Sequence, residues 1–201
     1  MTTDAPRLSA RDRLLASADQ LFYSEGVHTV GVDRIIEHAG VAKATLYNTF
    51  GSKDELVRAY LRSRHANIAD RITSALQRYR TPRTRLLGFF DALGEIFADP
   101  DFHGCAFVSA TSEAHGASVA EAADEYRLWV RRLLTELAEQ AGARSPKTLA
   151  HQLHLLVDGA IVSAGMDPNS RAADTARATA TVLLDAALSG TSSRNVDSEC
   201  S

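Results

Sequence analysis

Apolar residues recur at helical spacing along almost the entire chain, and this pattern restricts the fold more than any other feature of the sequence. In the first stretch, spacings of three, four and seven place one set of apolar residues on a single helix face: Leu8, Leu15, Ala18, Leu21 and Phe22. No stretch shows the sustained apolar–polar alternation and β-branched enrichment that are typical of a half-buried strand. The sequence therefore predicts an all-α fold.

The five prolines of the chain fall at the ends of the predicted helices. Thr81-Pro82 and Ser145-Pro146 each place a hydroxyl directly before a proline, which suits the N-cap and the first helical position. Ser118, followed three residues later by a glutamate, has the spacing of a capping box. These signals and the periodicity predict nine helices, near residues 8–25, 32–39, 43–49, 53–79, 82–98, 104–115, 119–141, 146–164 and 170–188.

Composition and charge exclude several classes of protein. The chain is 45% hydrophobic and 23% charged, which is ordinary for a globular protein and unlike a disordered or fibrous one. The longest run without Asp, Glu, Lys or Arg covers residues 102–112, whereas a membrane span needs about 18 to 20 apolar residues. The charged N-terminus argues against a signal peptide. Because the chain has only two cysteines, Cys105 and Cys200, we expect a reducing, cytoplasmic environment.

The charge is distributed unevenly along the chain. Residues 1–90 hold 14 Lys and Arg against 9 Asp and Glu, whereas residues 91–201 hold 8 against 16. A basic N-terminal half indicates a nucleic-acid partner, although a solvated surface of ordinary composition explains the same numbers.

Two short helices joined by a glycine turn are predicted in the N-terminal third of the chain. The first covers residues 32–39 and has its apolar positions on one face, and Gly40 supplies the left-handed residue that ends it. The second begins three residues later, with Leu46 and Phe50 four apart on its buried side. Such a pair forms a helix-turn-helix. The alternative is an exposed helical hairpin within a larger bundle.

The outer side of the second helix has the composition of a helix that reads the major groove of DNA. Small and polar residues occupy this side: Lys43, Ala44, Thr45, Tyr47 and Asn48. The N-terminal residues of such a helix reach base edges, where Lys43 suits guanine or a phosphate and Thr45 suits a thymine methyl or a phosphate. Lys53 lies in the first turn of the following helix, where a cation opposes the helix dipole, so an external phosphate would rationalise its presence.

Residues 40–56 read Gly-Val-Ala-Lys-Ala-Thr-Leu-Tyr-Asn-Thr-Phe-Gly-Ser-Lys-Asp-Glu-Leu, and here the chain resembles the TetR/AcrR family of bacterial transcriptional regulators. The resemblance extends over roughly residues 8–68 and implies a three-helix DNA-binding domain. With the outer-side composition, it predicts these DNA-contacting residues: Gly31, Val32, Lys43, Ala44, Thr45, Tyr47, Asn48 and Lys53. Many members carry Thr or Ser near position 31, so Gly31 would leave that phosphate contact to a backbone N–H.

The resemblance also implies that the larger C-terminal part binds a small effector and dimerises through its last two helices. The predicted organisation is a DNA-binding domain at 8–68, a helical ligand-binding and dimerisation bundle at 69–189, and a loose tail at 190–201. Aromatic and polar residues suggest an effector site: Phe90, Phe97, Cys105, Phe107, Glu113, Trp129, His154 and Asp158. Small and aliphatic helix faces suggest a dimer interface: Leu153, Leu156, Ala160, Ile161, Ala176, Thr179, Leu183 and Ala187. For both sets, burial in the core of the chain is the alternative.

Signals for enzymatic or metal chemistry are weak. The sequence has no Gly-x-Gly loop, Walker loop or Gly-x-Ser-x-Gly elbow, so neither an enzyme nor a cofactor is predicted. Two sets of residues have the chemistry of zinc ligands: His103, Cys105, Glu113 and His115, and the pair His151 and His154. Cys-x-x-Cys spacing is absent, and we predict no metal site.

These observations together predict a cytoplasmic, homodimeric, ligand-responsive regulator of transcription. Members of the family it resembles are usually repressors that bind a palindromic operator in double-stranded DNA and leave it when a small molecule binds. The alternative is a helical small-molecule-binding or enzymatic bundle that does not contact DNA.

Overall fold

The computed structural model describes residues 8–114, 116–167 and 171–189. Within these ranges the chain forms α-helices and no strand, so the predicted all-α fold is confirmed. The helices are α1 (Ala10–Glu25), α2 (Val32–Ala39), α3 (Lys43–Phe50), α4 (Lys53–Leu76), α5 (Pro82–Phe97), α6 (Ala106–Glu113), α7 (Ala117–Gln140), α8 (Pro146–Met166) and α9 (Ala172–Ser189). The predicted tail at 190–201, which includes Cys200, lies outside the described residues. Among the helices of the described ranges, none has the length and apolar character needed to cross a membrane.

Helix starts agree with some of the predicted capping signals and not with others. Thr81 caps α5 in a capping box, since its side chain accepts the N–H of Thr84 and the Thr84 side chain accepts the N–H of Thr81, both at 3.2 Å. Ser145 makes no such side-chain bond at the start of α8. The prediction of Ser118 as an N-cap is wrong, because α7 begins before it and the Gly116 carbonyl accepts N–H groups of the first turn.

The chain forms two compact units, each built from two segments. The N-terminal unit comprises the chain up to Thr73 together with Asp101–Trp129, and the C-terminal unit comprises Ser74–Pro100 together with the chain from Val130 onward. The predicted boundary at residue 68 falls just before the end of the first segment. Residues 101–129, which were expected in the ligand-binding domain, group with the helix-turn-helix instead. The N-terminal unit therefore contains α6 and the first half of α7.

The core of the N-terminal unit combines residues from both of its segments. Its buried side chains include Leu14, Phe22, Ile35, Leu46, Leu56, Tyr60, Phe107 and Val119. The rings of Phe22 and Tyr60 meet edge to face, with centroids 5.6 Å apart. Burial of these apolar side chains stabilises the unit and fixes α3 through its inner side.

The C-terminal unit depends on a close approach between Tyr79 and α5. A Cβ atom at Gly88 would lie 2.4 Å from the Tyr79 ring, so only glycine permits this packing. The Tyr79 hydroxyl donates to Asp91 at 2.8 Å, and the same carboxylate accepts from Nε of Arg177 on α9 at 2.8 Å. These bonds hold the start of α5 and the middle of α9 together.

Candidate nucleic-acid interface

The turn between α2 and α3 is a glycine-terminated helix end of defined geometry. Gly40 has φ 60° and ψ 45°, and its N–H donates to the Glu37 carbonyl at 3.1 Å. The N–H of Val41 donates to the Ile36 carbonyl, also at 3.1 Å. This pattern satisfies the last carbonyls of α2 within one turn. Nη1 of Arg13 on α1 donates to the Gly40 carbonyl at 3.2 Å and so fixes the turn from outside.

The two sides of α3 differ in burial as the sequence predicts. Leu46 is fully buried, and Phe50 is half-buried. Tyr47 is 44% exposed although its ring is largely apolar, and four further predicted contact residues beside it are exposed or half-buried: Lys43, Ala44, Thr45 and Asn48. Because large apolar surface is usually covered in a monomer, an exposed tyrosine among small polar residues indicates a binding surface.

The start of α2 offers backbone donors rather than a side chain. Gly31 is the N-cap and makes no side-chain capping bond, and its own carbonyl accepts the N–H of Ile35 at 3.3 Å. A Cβ atom at Gly31 would meet nothing within 4 Å, so the position is open to a partner. The first N–H groups of an α-helix lack intrahelical acceptors and carry a partial positive charge, which suits an anion. Val32, the first helical residue, is half-buried.

Lys43 forms an ion pair with Asp33 across the helix-turn-helix. Its Nζ lies 2.9 Å from Oδ1 of Asp33, and both side chains are largely exposed. The hydrogen bond to Asp33 and the attraction of its negative charge raise the pKa of Lys43, so the ammonium is held in its charged form. Sequence reasoning did not identify Asp33 as a residue of this surface. Opposite charges in the first turns of two consecutive helices are the signal that it missed.

Lys53 occupies a different environment at the start of α4. The residue is half-buried, and its Nζ lies 5.9 Å from the centroid of the Phe22 ring. Burial lowers the pKa of Lys53, against the opposing influence of Asp54 and Glu113. A phosphate at this point would favour the charged form of the amine.

Both ends of the α6 region are hydrogen-bonded to the segment that leads into the helix-turn-helix. At the end of α6, Glu113 accepts the backbone N–H of His28 at 2.9 Å, and its carboxylate fills the space that a side chain at Gly26 would need. Before α6, the Tyr23 hydroxyl donates to the Gly104 carbonyl and accepts the N–H of the preceding residue, both at 3.0 Å. These contacts connect the loop after α1 to α6. Sequence reasoning assigned Glu113 to the effector site and gave no role to Tyr23.

The predicted effector residues are distributed over both units. Cys105, Phe107, Glu113 and Trp129 belong to the N-terminal unit, and Phe90, Phe97, His154 and Asp158 belong to the C-terminal unit. In the first group, Phe107 stacks on Tyr126 with centroids 4.0 Å apart, and Trp129 stacks beside the same ring at 6.2 Å. In the second group, Phe90 is fully buried, and Nδ1 of His154 accepts from Nε of Arg131 at 3.3 Å. The effector site stays a prediction.

The predicted dimer residues divide into buried and accessible ones. Four of them are buried within the chain itself: Leu153, Ala160, Ile161 and Ala176. The other four are exposed or half-buried: Leu156, Thr179, Leu183 and Ala187. Large exposed apolar side chains on the same two helices were not predicted, namely Leu155, Val162, Met166 and Val182. A cavity of about 310 Å³ between α8 and α9 is lined in part by Leu155 and Thr179.

The residues with zinc-ligand chemistry are used in other ways. The His103 ring packs edge to face on Tyr23, and Glu113 binds the N–H of His28. No group of three or more potential ligands is close enough to hold a metal ion in the part of the chain that the structure describes, which does not include His115.

Comparison with known proteins places these features in a family context. Residues 14–60 match the family described as bacterial regulatory proteins, tetR family. Among solved structures, SCO4454, a TetR-family transcriptional regulator from Streptomyces coelicolor, superposes with a TM-score of 0.82. It is 31% identical, and the match covers 89% of this chain and 95% of that one.

Two curated proteins are similar to the N-terminal half of the chain. The HTH-type transcriptional activator FasR of Mycolicibacterium smegmatis is 35% identical over 99 residues, which are 49% of this chain and 45% of FasR. The HTH-type transcriptional repressor NemR of Escherichia coli is 29% identical over 105 residues, which are 51% of this chain and 53% of NemR. The matches thus span about half the length of these curated relatives.

Proposed function

Because the chain belongs to the TetR family of bacterial DNA-binding transcriptional regulators, we propose that it is a ligand-responsive repressor that binds a palindromic operator as a dimer. The observation that carries the proposal is the exposed, polar outer side of α3 above the fully buried Leu46. In a helix-turn-helix this is the side that enters the major groove. Curated relatives include an activator and a repressor by name, and the repressor role is the one we assign.

Base and phosphate contacts have separate roles in the proposed complex. Lys43, Ala44 and Thr45 read base edges from the N-terminal end of α3, and Asn48 follows one turn later. Tyr47 and Lys53 hold phosphates, together with the N–H groups at the start of α2. Phosphate contacts supply affinity that falls with salt, and base contacts supply the choice of sequence.

The proposed dimer pairs α8 and α9 of one chain with those of a second copy. The apolar side chains left exposed on these helices support this arrangement, since a symmetric interface needs the same apolar patch on both partners. A two-fold dimer places its recognition helices about 34–36 Å apart, in successive major grooves of a palindromic site.

The proposed effector control acts through α6. This helix is bonded to the loop after α1 by Glu113, and the residues before it are bonded to Tyr23. A ligand that shifts α6 therefore changes the position of the helix-turn-helix that favours the operator. Coupling between two sites of a protein is typically about 1–3 kcal/mol, which is enough to release DNA at cellular concentrations.

Selection from a random library of duplex DNA tests the proposed function. We expect the purified protein to enrich a palindrome whose half-sites are separated by about one helical turn. The doubly substituted Tyr47→Phe, Lys53→Ala protein is expected to bind that site more weakly, with a salt slope reduced by about 0.9 for each lost phosphate contact. Lys147→Ala, which removes an exposed cation at the start of α8, is the matched control.

Two results would contradict parts of the proposal. Unchanged affinity and salt slope in the double variant would remove Tyr47 and Lys53 from the phosphate contacts. Absence of any enriched sequence at low salt would favour a helical bundle that acts without DNA.

A further inference from the structure

We propose that Asp33 and Lys43 read one G·C base pair as a unit, so that Asp33 of α2 is a specificity-determining residue. The inference rests on the proposed DNA-binding function and adds to it a base-reading residue outside α3. It predicts the identity of one base pair in each half of the operator.

The position of the pair, rather than its strength, carries the argument. Lys43 is the first residue of α3 and Asp33 is the second residue of α2, so the pair connects the N-terminal turns of both helices. Nζ of Lys43 is 2.9 Å from Oδ1 of Asp33, and the side chains are 55% and 80% exposed. An exposed ion pair of this kind contributes little to folding. Both partners remain accessible to a duplex that contacts the start of α3.

The donors and acceptors of the pair match one edge of a G·C base pair. In the major groove, guanine presents the acceptors N7 and O6, and cytosine presents the N4 amino donor. An ammonium has three N–H donors, so Lys43 retains two for guanine while one is bonded to Asp33. The Oδ2 atom of Asp33 accepts no hydrogen bond from the described part of the chain, which leaves it for the cytosine amino group.

An A·T base pair presents the opposite pattern to the same two side chains. The adenine N6 amino group would face the Lys43 ammonium, and the thymine O4 acceptor would face the Asp33 carboxylate. Two donors and two acceptors would then be opposed in a partly desolvated groove, where unpaired polar groups are costly. The pair therefore selects by rejection as well as by attraction.

Asp33 also directs Lys43 away from the DNA backbone. If Lys43 left the carboxylate to bind a phosphate, Asp33 would stand unpaired beside a polyanion. Keeping the ion pair while the ammonium contacts guanine avoids that repulsion. A neutral residue at position 33 would allow Lys43 to bind phosphates at any sequence.

The test compares the sequences selected by variants from the random duplex library. Asp33→Ala and Asp33→Asn remove the charge, and Asn keeps the size of the side chain. Glu37→Ala is the matched control, since it removes an exposed carboxylate from the same helix and changes the net charge equally. Thermal melting followed by circular dichroism establishes that each protein is folded.

We expect the wild-type motif to contain a G·C pair at one symmetric position in each half-site. Both Asp33 variants should lose about tenfold of the preference at that position and keep the rest of the motif. They should also bind a non-operator duplex with a salt slope steeper by about 0.9, since Lys43 gains a phosphate. Glu37→Ala should leave the motif and the salt slope unchanged.

The outcomes separate this inference from the function on which it rests. An enriched motif that is the same in the wild-type protein and both folded Asp33 variants overturns the role of Asp33 and leaves the DNA-binding function intact. An A·T pair at the affected position overturns the assigned base pair. Absence of any motif for the wild-type protein overturns the DNA-binding function and this inference with it.

Discussion

At the scale of single residues, the two lysines of the proposed DNA surface have opposite electrostatic environments. Asp33 raises the pKa of Lys43, whereas burial lowers the pKa of Lys53 despite the nearby carboxylates of Asp54 and Glu113. Lys53 therefore loses its proton at a lower pH than Lys43 does. Since only a protonated amine attracts a phosphate, the two positions respond differently to alkaline conditions.

We expect operator affinity to weaken as pH rises through the lowered pKa of Lys53. Phosphate binding favours the protonated amine, so the contribution of Lys53 is present below that pKa and lost above it. In Lys53→Arg the guanidinium stays charged, so the affinity should persist to higher pH. Fluorescence anisotropy between about pH 7 and 10 measures the difference. Equal losses in both proteins would contradict the phosphate role of Lys53, and Lys43→Arg serves as the control with little expected change.

Two glycines with similar backbone angles should respond differently to substitution. Gly26 has φ 89°, and a Cβ atom there would lie 2.6 Å from Oε2 of Glu113, whereas Gly104 has φ 93° and open space around it. Gly104→Ala is expected to lower the free energy of unfolding by about 1–2 kcal/mol through backbone strain. Gly26→Ala should cost about 1–2 kcal/mol more, because Glu113 must move.

Urea unfolding of the two glycine variants measures this difference. The double variant Gly26→Ala, Glu113→Ala should recover the additional loss relative to Glu113→Ala alone, since the clash is then absent. Equal losses at Gly26 and Gly104 would show that Glu113 moves away at no cost.

At the scale of helices, two similar sequence signals lead to different structures. Thr81-Pro82 and Ser145-Pro146 both predict a capped helix start, yet only Thr81 accepts a backbone N–H. We expect Thr81→Ala to lower the free energy of unfolding by about 1 kcal/mol and Ser145→Ala to change it little. Thermal or urea unfolding of the two variants provides the comparison. A larger loss for Ser145→Ala than for Thr81→Ala would contradict the assigned caps.

The helices themselves could be predicted from the sequence because their signals are local. Gly40 ends α2, and Leu46 turns inward, through interactions within a few residues. The place of α6 could not be predicted in this way. Its bond from Glu113 to the N–H of His28 joins residues 85 positions apart, and nothing in the surrounding sequence specifies that partner. The same limit applies to Leu153, whose apolar character suits an interface as well as the core in which it lies.

At the scale of the whole molecule, the exposed apolar residues of α8 and α9 test the proposed dimer. We expect Leu155→Glu combined with Val182→Glu to give a monomer in sedimentation equilibrium, because buried carboxylates oppose association. Operator affinity should fall more than tenfold, since one recognition helix contacts only a half-site. Leu128→Glu, at an exposed leucine of the N-terminal unit, is the control and should leave the dimer intact. A dimeric double variant would require a different interface.

The two-segment construction of the N-terminal unit has a consequence for synthesis on the ribosome. The chain up to Thr73 is translated first, and Asp101–Trp129 follow only after the intervening segment of the other unit. At 5–20 residues per second, the interval from residue 73 to residue 129 lasts about 3–11 seconds. During that interval the nascent chain already carries its recognition helix, but the partners of Tyr23 and His28 have yet to be made.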